Sequence, residues 1–405
     1  MSTHRTVTRL AGLVVVASFV FAACSSSSAS TKPSTAASAA APSVAAPSVA
    51  APSVAAPSVA ADAKTATSAA AMGGVDAICA AGKAEGQVNI IATPPDWANY
   101  GQIITDFTAK YGIKVQSDKP DGNSQDEINA VKQLAGTGRQ PDILDLATAI
   151  ALANTALYAP YQVATWADIP DANKEATGLW WNNYTGYQTI AYDAAKYGPI
   201  TKVADLADPK YKGKVALNGD PLTAGAALNG VVLAALANGG SADDISKGVD
   251  FFKKLTEMGN LIPVNPNTAS VASGQTPIVI DWTYNQGGDI AKLKAKGMNW
   301  TIAIPTDAPP VAAYYNSAIN KDAAHPAAAR CWMEYVFSDA GQNAFLKGFA
   351  LPVRLPAMEK AGTVDKAAMA AMNAPATQPV QLTADQLAAA TKYLTDNWKF
   401  ISIPK

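Results

Sequence analysis

Residues 88–101 read VNIIATPPDWANYG. Val88 to Ala92 is an apolar run with the length of a buried strand. Thr93 to Gly101 then packs two prolines, an aspartate, a tryptophan, an asparagine and a tyrosine into one turn. Beyond it Ile103, Ile104 and Phe107 recur at helical spacing, and Tyr111-Gly112 supplies a glycine stop. The same alternation continues. Ile113 to Val115 starts a second strand. Ser124-Gln125-Asp126-Glu127 reads as a capping box that opens a helix through Ile128, Val131 and Leu134. Pro141 to Leu146 is a third strand. Strands alternating with helices predict a parallel, helix-covered sheet, and such sheets gather ligands outside the carboxyl ends of their strands. Three turns fall at that end: Asp96 and Trp97, Asn123 and Ser124, and Thr148 with its alanine neighbours.

A second unit follows. Tyr184 to Tyr192 reads as a strand leaving the first. Lys214 to Leu217 is a strand, Asn218 to Pro221 a turn, and Thr223 to Ala237 an alanine-rich helix. Pro277 to Asp281 is a strand that runs into Asp281-Trp282-Thr283-Tyr284-Asn285, and Thr301 to Pro305 is another. A chain of 405 residues is long enough for two lobes. Lysine plus arginine is 31 against 32 for aspartate plus glutamate, which sets nucleic acid aside as a partner. Only two histidines exist, His4 and His325, so a histidine-rich metal site is excluded. No GxxxxGK[ST], GxSxG or HExxH occurs, so no cofactor and no catalysis are expected. A carboxylate pair for glycoside chemistry is set by the fold and stays open at this level.

The amino terminus reads as an export signal. Arg5 and Arg9 precede an apolar run from Leu10 to Phe21, then Ala22-Ala23 and Cys24. Small residues before a cysteine that is followed by Ser25 to Ser28 resemble a bacterial lipoprotein signal, in which Cys24 becomes the lipid-bearing first residue. An ordinary secreted protein with a chance cysteine is the other reading. Residues 41–60 spell APSVA four times; a proline every fifth residue forbids a helix, and the segment reads as a tether. The folded part is expected to begin near Val75. In an exported chain, Cys79 and Cys331 invite a disulfide, while two separate buried thiols remain the alternative, because spacing alone does not decide pairing.

Taken in order, EGQVNII (85–91), DFTAKYGIKV (106–115), GRQPDILDL (138–146), TWADI (165–169), DLADPKYKGKVAL (205–217) and AINKDAAHPAAARCWMEYVFSDAGQNAF (318–345) resemble bacterial solute-binding proteins of ABC importers. The similar subgroup handles polyamines, thiamine, ferric iron and phosphonates. The resemblance implies an α/β fold of two lobes, the type II periplasmic-binding-protein architecture, with ligand in the cleft between them. It implies a signal peptide at 1–23, a tether at 24–74, a first lobe at 75–185 with a return at 314–349, and a second lobe at 186–313 with C-terminal helices at 350–405. Cys79 and Cys331 would both belong to the first lobe, which makes their pairing geometrically possible. The implied partners are a small solute, an ABC permease with its ATPase, and a membrane reached through the lipid anchor. The protein would act as a monomer on the outer face of the cytoplasmic membrane.

Each cleft residue carries two readings. Asp96 and Trp97, stiffened by Pro94 and Pro95, can pair with a cation and stack on a ring; alternatively Asp96 caps the following helix and Trp97 packs on its own lobe. Trp282 matches a tryptophan of the polyamine binders, with burial between strands as the alternative. Tyr284 follows it, and Tyr187 and Tyr315 lie on the crossovers. Asp220 and Thr223 open a helix that can hold an anion, unless Asp220 is its cap. Tyr314-Tyr315 keeps a ferric ion as an alternative ligand, although neighbours on a strand point to opposite faces. A secreted hydrolase is the other alternative. Aromatic faces with few carboxylates predict a compact organic ligand with a cationic or ring portion.

Overall fold

The computed structural model describes residues 62–372, 374–375 and 377–403; the signal segment, Cys24 and the APSVA repeats lie outside the described residues. The packed chain begins before Val75. Ala66 and Ala69 are buried in the first core. The buried Arg330 side chain donates to the Ala66 and Lys64 carbonyls at 2.9 and 3.1 Å. A buried guanidinium needs acceptors, and this segment supplies them as backbone oxygens.

Helix α1 (Val75–Glu85) leads into β1 (Gln87–Ile91), α2 (Tyr100–Tyr111), β2 (Lys114–Asp118), α3 (Ser124–Gln133), β3 (Ile143–Ala147), α4 (Thr148–Ala153) and the short β4 (Tyr158–Ala159). The long β5 (Trp181–Asp193) crosses to β6 (Val215–Leu217), α5 (Gly225–Ala237), α6 (Ser246–Glu257), α7 (Thr268–Ala272), β7 (Ile278–Trp282), α8 (Thr283–Lys294) and β8 (Trp300–Ala303). Strand β9 (Ala312–Asn320) returns to α9 (Pro326–Val336), α10 (Asp339–Lys347) and β10 (Leu351–Pro352). Helices α11 (Leu355–Ala361), α12 (Lys366–Ala371) and α13 (Ala384–Asn397) end the chain.

β1 and β2 form a separate parallel pair, and the larger sheet is mixed rather than parallel: β6–β7 is parallel, while β3–β9, β9–β5 and β5–β7 are antiparallel, in the order β3-β9-β5-β7-β6. The βα alternation reports local crossovers only. The two strands that carry the chain between lobes run against them, and this direction leaves no mark in the hydrophobic pattern. All thirteen residues of β5 are buried, as a strand shared by both lobes requires. One core gathers α1, α2, α9 and α10 around Phe107, Trp181 and Trp332; a second gathers α5, α6 and α13 around Phe252 and Trp398. Cys79 of α1 and Cys331 of α9 form a disulfide, with their Cα atoms 4.9 Å apart.

Helix starts differ from the sequence reading in ways that matter for the cleft. The cap of α3 is Asn123, not Ser124: its side chain accepts from Gln125 N and Asp126 N, and Asp126 accepts from Asn123 N. This one-residue shift frees Glu127 from capping. Helix α5 begins at Gly225 without a side-chain cap; Asp220 accepts from Leu222 N in a local turn instead. Helix α2 begins at Tyr100, also without a side-chain cap.

Candidate functional site

A cleft of about 680 Å³ opens where the turns after β1 and β2, with Asp145 of β3, meet the turns after β6 and β7. Its walls include Asp96, Asp121, Asp126, Glu127, Asp145, Asp220, Asp281 and Asp289, and among the described residues no lysine, arginine or histidine lines it. The expectation of few carboxylates is therefore corrected: there are eight. They come from separate stretches of chain, and only the fold adds them up.

Three of them are buried. Asp145 lies in the middle of β3 and is held by three donors: the Tyr100 hydroxyl at 2.8 Å, the Tyr184 hydroxyl at 2.9 Å and Asn183 Nδ2 at 2.7 Å. Burial pushes its carboxyl up to about 6 against the pull of these hydrogen bonds. Glu127 Oε2 accepts from Asp145 N at 2.9 Å, and burial, reinforced by the Asp145 charge, raises this carboxyl well above the usual range. Across the cleft Asp281 accepts from Trp282 N at 2.7 Å and twice from Asn285 Nδ2 at 3.0 Å; burial pushes it up to about 7. Asp289 is raised by burial as well. At the rim Lys292 pairs with Asp96 and lies 3.6 Å from Asp289.

An aromatic cluster stands against these acids. The Trp97 ring stacks on Tyr284 at 5.8 Å and meets Tyr315 edge-on at 5.3 Å. Tyr284 stacks in turn on Trp282 at 6.1 Å, and Tyr184 on Tyr315 at 5.7 Å. Of this cluster Trp97 and Tyr315 line the cleft. Trp97 Nε1 and the Tyr284 hydroxyl are buried with no hydrogen-bond partner among the described residues.

The structure brings Asp96, Trp97, Asn123, Ser124, Asp220, Thr223 and Tyr315 together on one cleft. It places four other expected residues behind the wall. Trp282 and Tyr284 are fully buried in the first core. Thr148 donates to the Tyr314 carbonyl at 3.1 Å and accepts from Asn316 Nδ2 at 3.1 Å. Tyr187 packs with Leu346 and Leu351. Glu127, Asp145, Asp281 and Asp289 are wall residues that sequence reasoning passed over. A signal existed for two of them: an aspartate inside ILDL and another inside IVIDW put a charge in a strand that is otherwise buried. Among the described residues no group of three or more histidine, cysteine, aspartate or glutamate side chains could hold a metal ion.

Two α/β lobes bridged by crossover strands, with a polar cleft between them, define a periplasmic-binding-protein architecture. Residues 148–381, more than half of the chain, match the model of a bacterial extracellular solute-binding protein family, and the chain belongs to that family. Its fold is similar to that of iron-bound HitA from Pseudomonas aeruginosa (20% identity, 78% of this chain and 99% of that one, TM-score 0.56). It is similar in the same way to a putative spermidine/putrescine ABC transporter from Listeria monocytogenes (14%, 78% and 98%, 0.58). A third likeness is to AgtB from A. tumefacien R10 in complex with agropinic acid (16%, 78% and 98%, 0.59). No curated protein matches the chain. The protein is thus an exported solute-binding protein whose ligand is a small molecule.

Proposed function

We propose that the protein captures a small organic cation outside the cell, closes its lobes over it and hands it, unchanged, to an ABC permease and its ATPase. The observation that carries this reading is the wall itself, which has eight carboxylates and, among the described residues, no basic side chain. Carboxylates in a cleft of low dielectric attract a cation far more strongly than they would in bulk water. Trp97 and Tyr315 supply ring faces for the same charge. Among the described residues a phosphonate or sugar phosphate finds no basic partner on this wall. A ferric ion is disfavoured by the tyrosine pair, because Tyr315 lines the cleft and Tyr314 does not.

In this reading Asp96, Trp97, Asn123, Ser124, Asp220, Thr223 and Tyr315 touch the solute, and Trp282, Tyr284, Tyr187 and Thr148 position them. The moving bodies are residues 75–185 with 314–349, and 186–313 with 350–405; residues 62–74 travel with the first. Cys24 carries the lipid, the repeats space the monomer from the membrane, and no turnover occurs.

A thermal-shift screen tests this, using amines, quaternary ammonium ions and guanidines beside phosphonates, sugars and ferric citrate. A solute at a hundred times its dissociation constant adds about 2.7 kcal/mol. Stabilisation by cations alone is expected; stabilisation by anions or sugars with none by cations sinks the reading.

A further inference from the structure

We propose that the unliganded cleft holds protons on its buried carboxylates and that an arriving cation expels them, so that capture is coupled to proton release. This rests on the reading of the cleft as a cation site. The geometry is specific. Glu127, Asp281 and Asp145 are 1%, 5% and 9% exposed, yet all three reach the cleft wall. Glu127 and Asp145 are coupled directly, the backbone N–H of one bonding the carboxylate of the other at 2.9 Å. Each buried carboxylate loses hydration when it ionises, and the Asp145 charge raises Glu127 further, so ionising both without a countercharge is unfavourable.

Among the described residues no countercharge lines the cleft. Around Asp145 stand Tyr100 of α2, Tyr184 and Asn183 of β5, and Glu127 of α3; beyond Glu127 comes Asp126, held by the Asn123 N–H and partnered in its own right. Around Asp281 stand Asn285 and Asp289 of α8 and Asn218 after β6. Tyr284 and Tyr315 complete the surroundings of both, buried and far above their ordinary titration range. Lys292 is engaged at the rim by Asp96 and Asp289. The neutral donors stabilise each carboxylate only in part, which agrees with carboxyls displaced to about 6 and about 7. A cation supplies the missing charge. The carboxyl O–H bond breaks, the carboxylate keeps the electron pair and faces the cation, and the proton leaves to solvent. Charge balances: a neutral acid and a monocation become an ion pair and a free proton.

Two measurements on the mature protein test this. Carbon-13 spectra of the side-chain carboxyls, titrated without ligand and assigned with Glu127→Gln, Asp145→Asn and Asp281→Asn, read the protons directly. At least one of the three is expected to remain protonated at pH 6; full ionisation of all three by pH 5.5 overturns the proposal, whatever the cleft binds. Choline, 1,4-diaminobutane and arginine are then titrated calorimetrically at pH 6.5, in phosphate and in imidazole. For a probe that binds, the heat is expected to differ between buffers as release of about one proton requires, with affinity rising about tenfold per pH unit between pH 5.5 and 7. A bound probe with buffer-independent heat and flat affinity overturns the coupling and leaves cation capture standing. Binding of anions with none of the three cations overturns both.

Discussion

At the scale of single residues, burial decides what each acid and each indole does. Asp281 has an ordinary value near 3.8 and is pushed up to about 7 in the folded protein. The native state therefore holds a proton that the unfolded chain has lost between those values. Its contribution to stability is fully present below pH 4 and disappears as pH rises through 7. The ligand-free protein should be less stable at pH 8 than at pH 5, by up to about 3 kcal/mol from this group. Asp281→Asn should flatten that slope in denaturant melts at the two pH values, and an unchanged slope would count against Asp281 as its source. The two tryptophans divide in the same way. Trp97 lines the cleft, and Trp97→Ala should weaken solute binding by about 1–3 kcal/mol. Trp282 has no exposed surface, and Trp282→Ala should cost about 3–5 kcal/mol of stability, because it leaves a cavity in the core. Affinity and melting temperature measured on both mutants separate the roles; loss of affinity alone in Trp282→Ala would put that ring in contact with solute.

At the scale of elements, the seam between the Trp97 turn and α8 is the telling contact. Ala92, Ala98 and Asn99 in that turn, and Phe349 beside it, all adopt left-handed backbone, with φ of 53°, 45°, 67° and 62°. Non-glycine residues pay about 1–3 kcal/mol each for this conformation, so the surrounding packing must hold them there. Two adjacent glycines of α8 do so by close approach. A Cβ on Gly288 would lie 2.6 Å from the Asp96 carbonyl oxygen, and one on Gly287 would lie 2.4 Å from the Phe349 ring. By helix propensity alone Gly288→Ala would stabilise α8 by about 1 kcal/mol. The clash with backbone should reverse the sign, lowering the melting temperature and weakening solute binding at least several-fold. A more stable mutant with unchanged affinity would show that this seam does not hold the Trp97 turn in place.

At the scale of the whole molecule, the chain closes on itself twice. Strands β5 and β9 carry it between lobes, and the disulfide joins α1 to α9 across 252 residues. Constraining so long a loop removes unfolded-state entropy worth about 5 kcal/mol in the chain-entropy account. Reduction should therefore lower the melting temperature of the exported protein by many degrees while leaving solute affinity at room temperature nearly unchanged, since neither cysteine lines the cleft. Calorimetry with and without reductant checks this, and equal melting temperatures would deny the cross-link a stabilising role.

Much of this architecture was legible in order along the chain. The apolar run before TPPDWANYG, the helical spacing after it and the glycine at Gly112 define β1, α2 and the start of β2 to within a few residues, because hydrophobic period and stop signals act locally. The turns at Asp96-Trp97, Asn123-Ser124 and Asp220-Thr223 were legible for the same reason, since strand ends are where such sheets place their ligands. Three features were decided only by tertiary structure. The antiparallel course of β5 and β9 depends on which lobe each strand must reach, and an apolar run has no direction. The burial of Trp282 and Tyr284 behind the wall depends on which side of β7 and α8 meets the other lobe. The charge of the cleft was the largest omission. Glu127, Asp145, Asp281 and Asp289 lie on α3, β3, β7 and α8; their convergence on one wall, with Lys292 at the rim reaching only Asp289 of the four, is a sum over distance in space, which sequence order does not record.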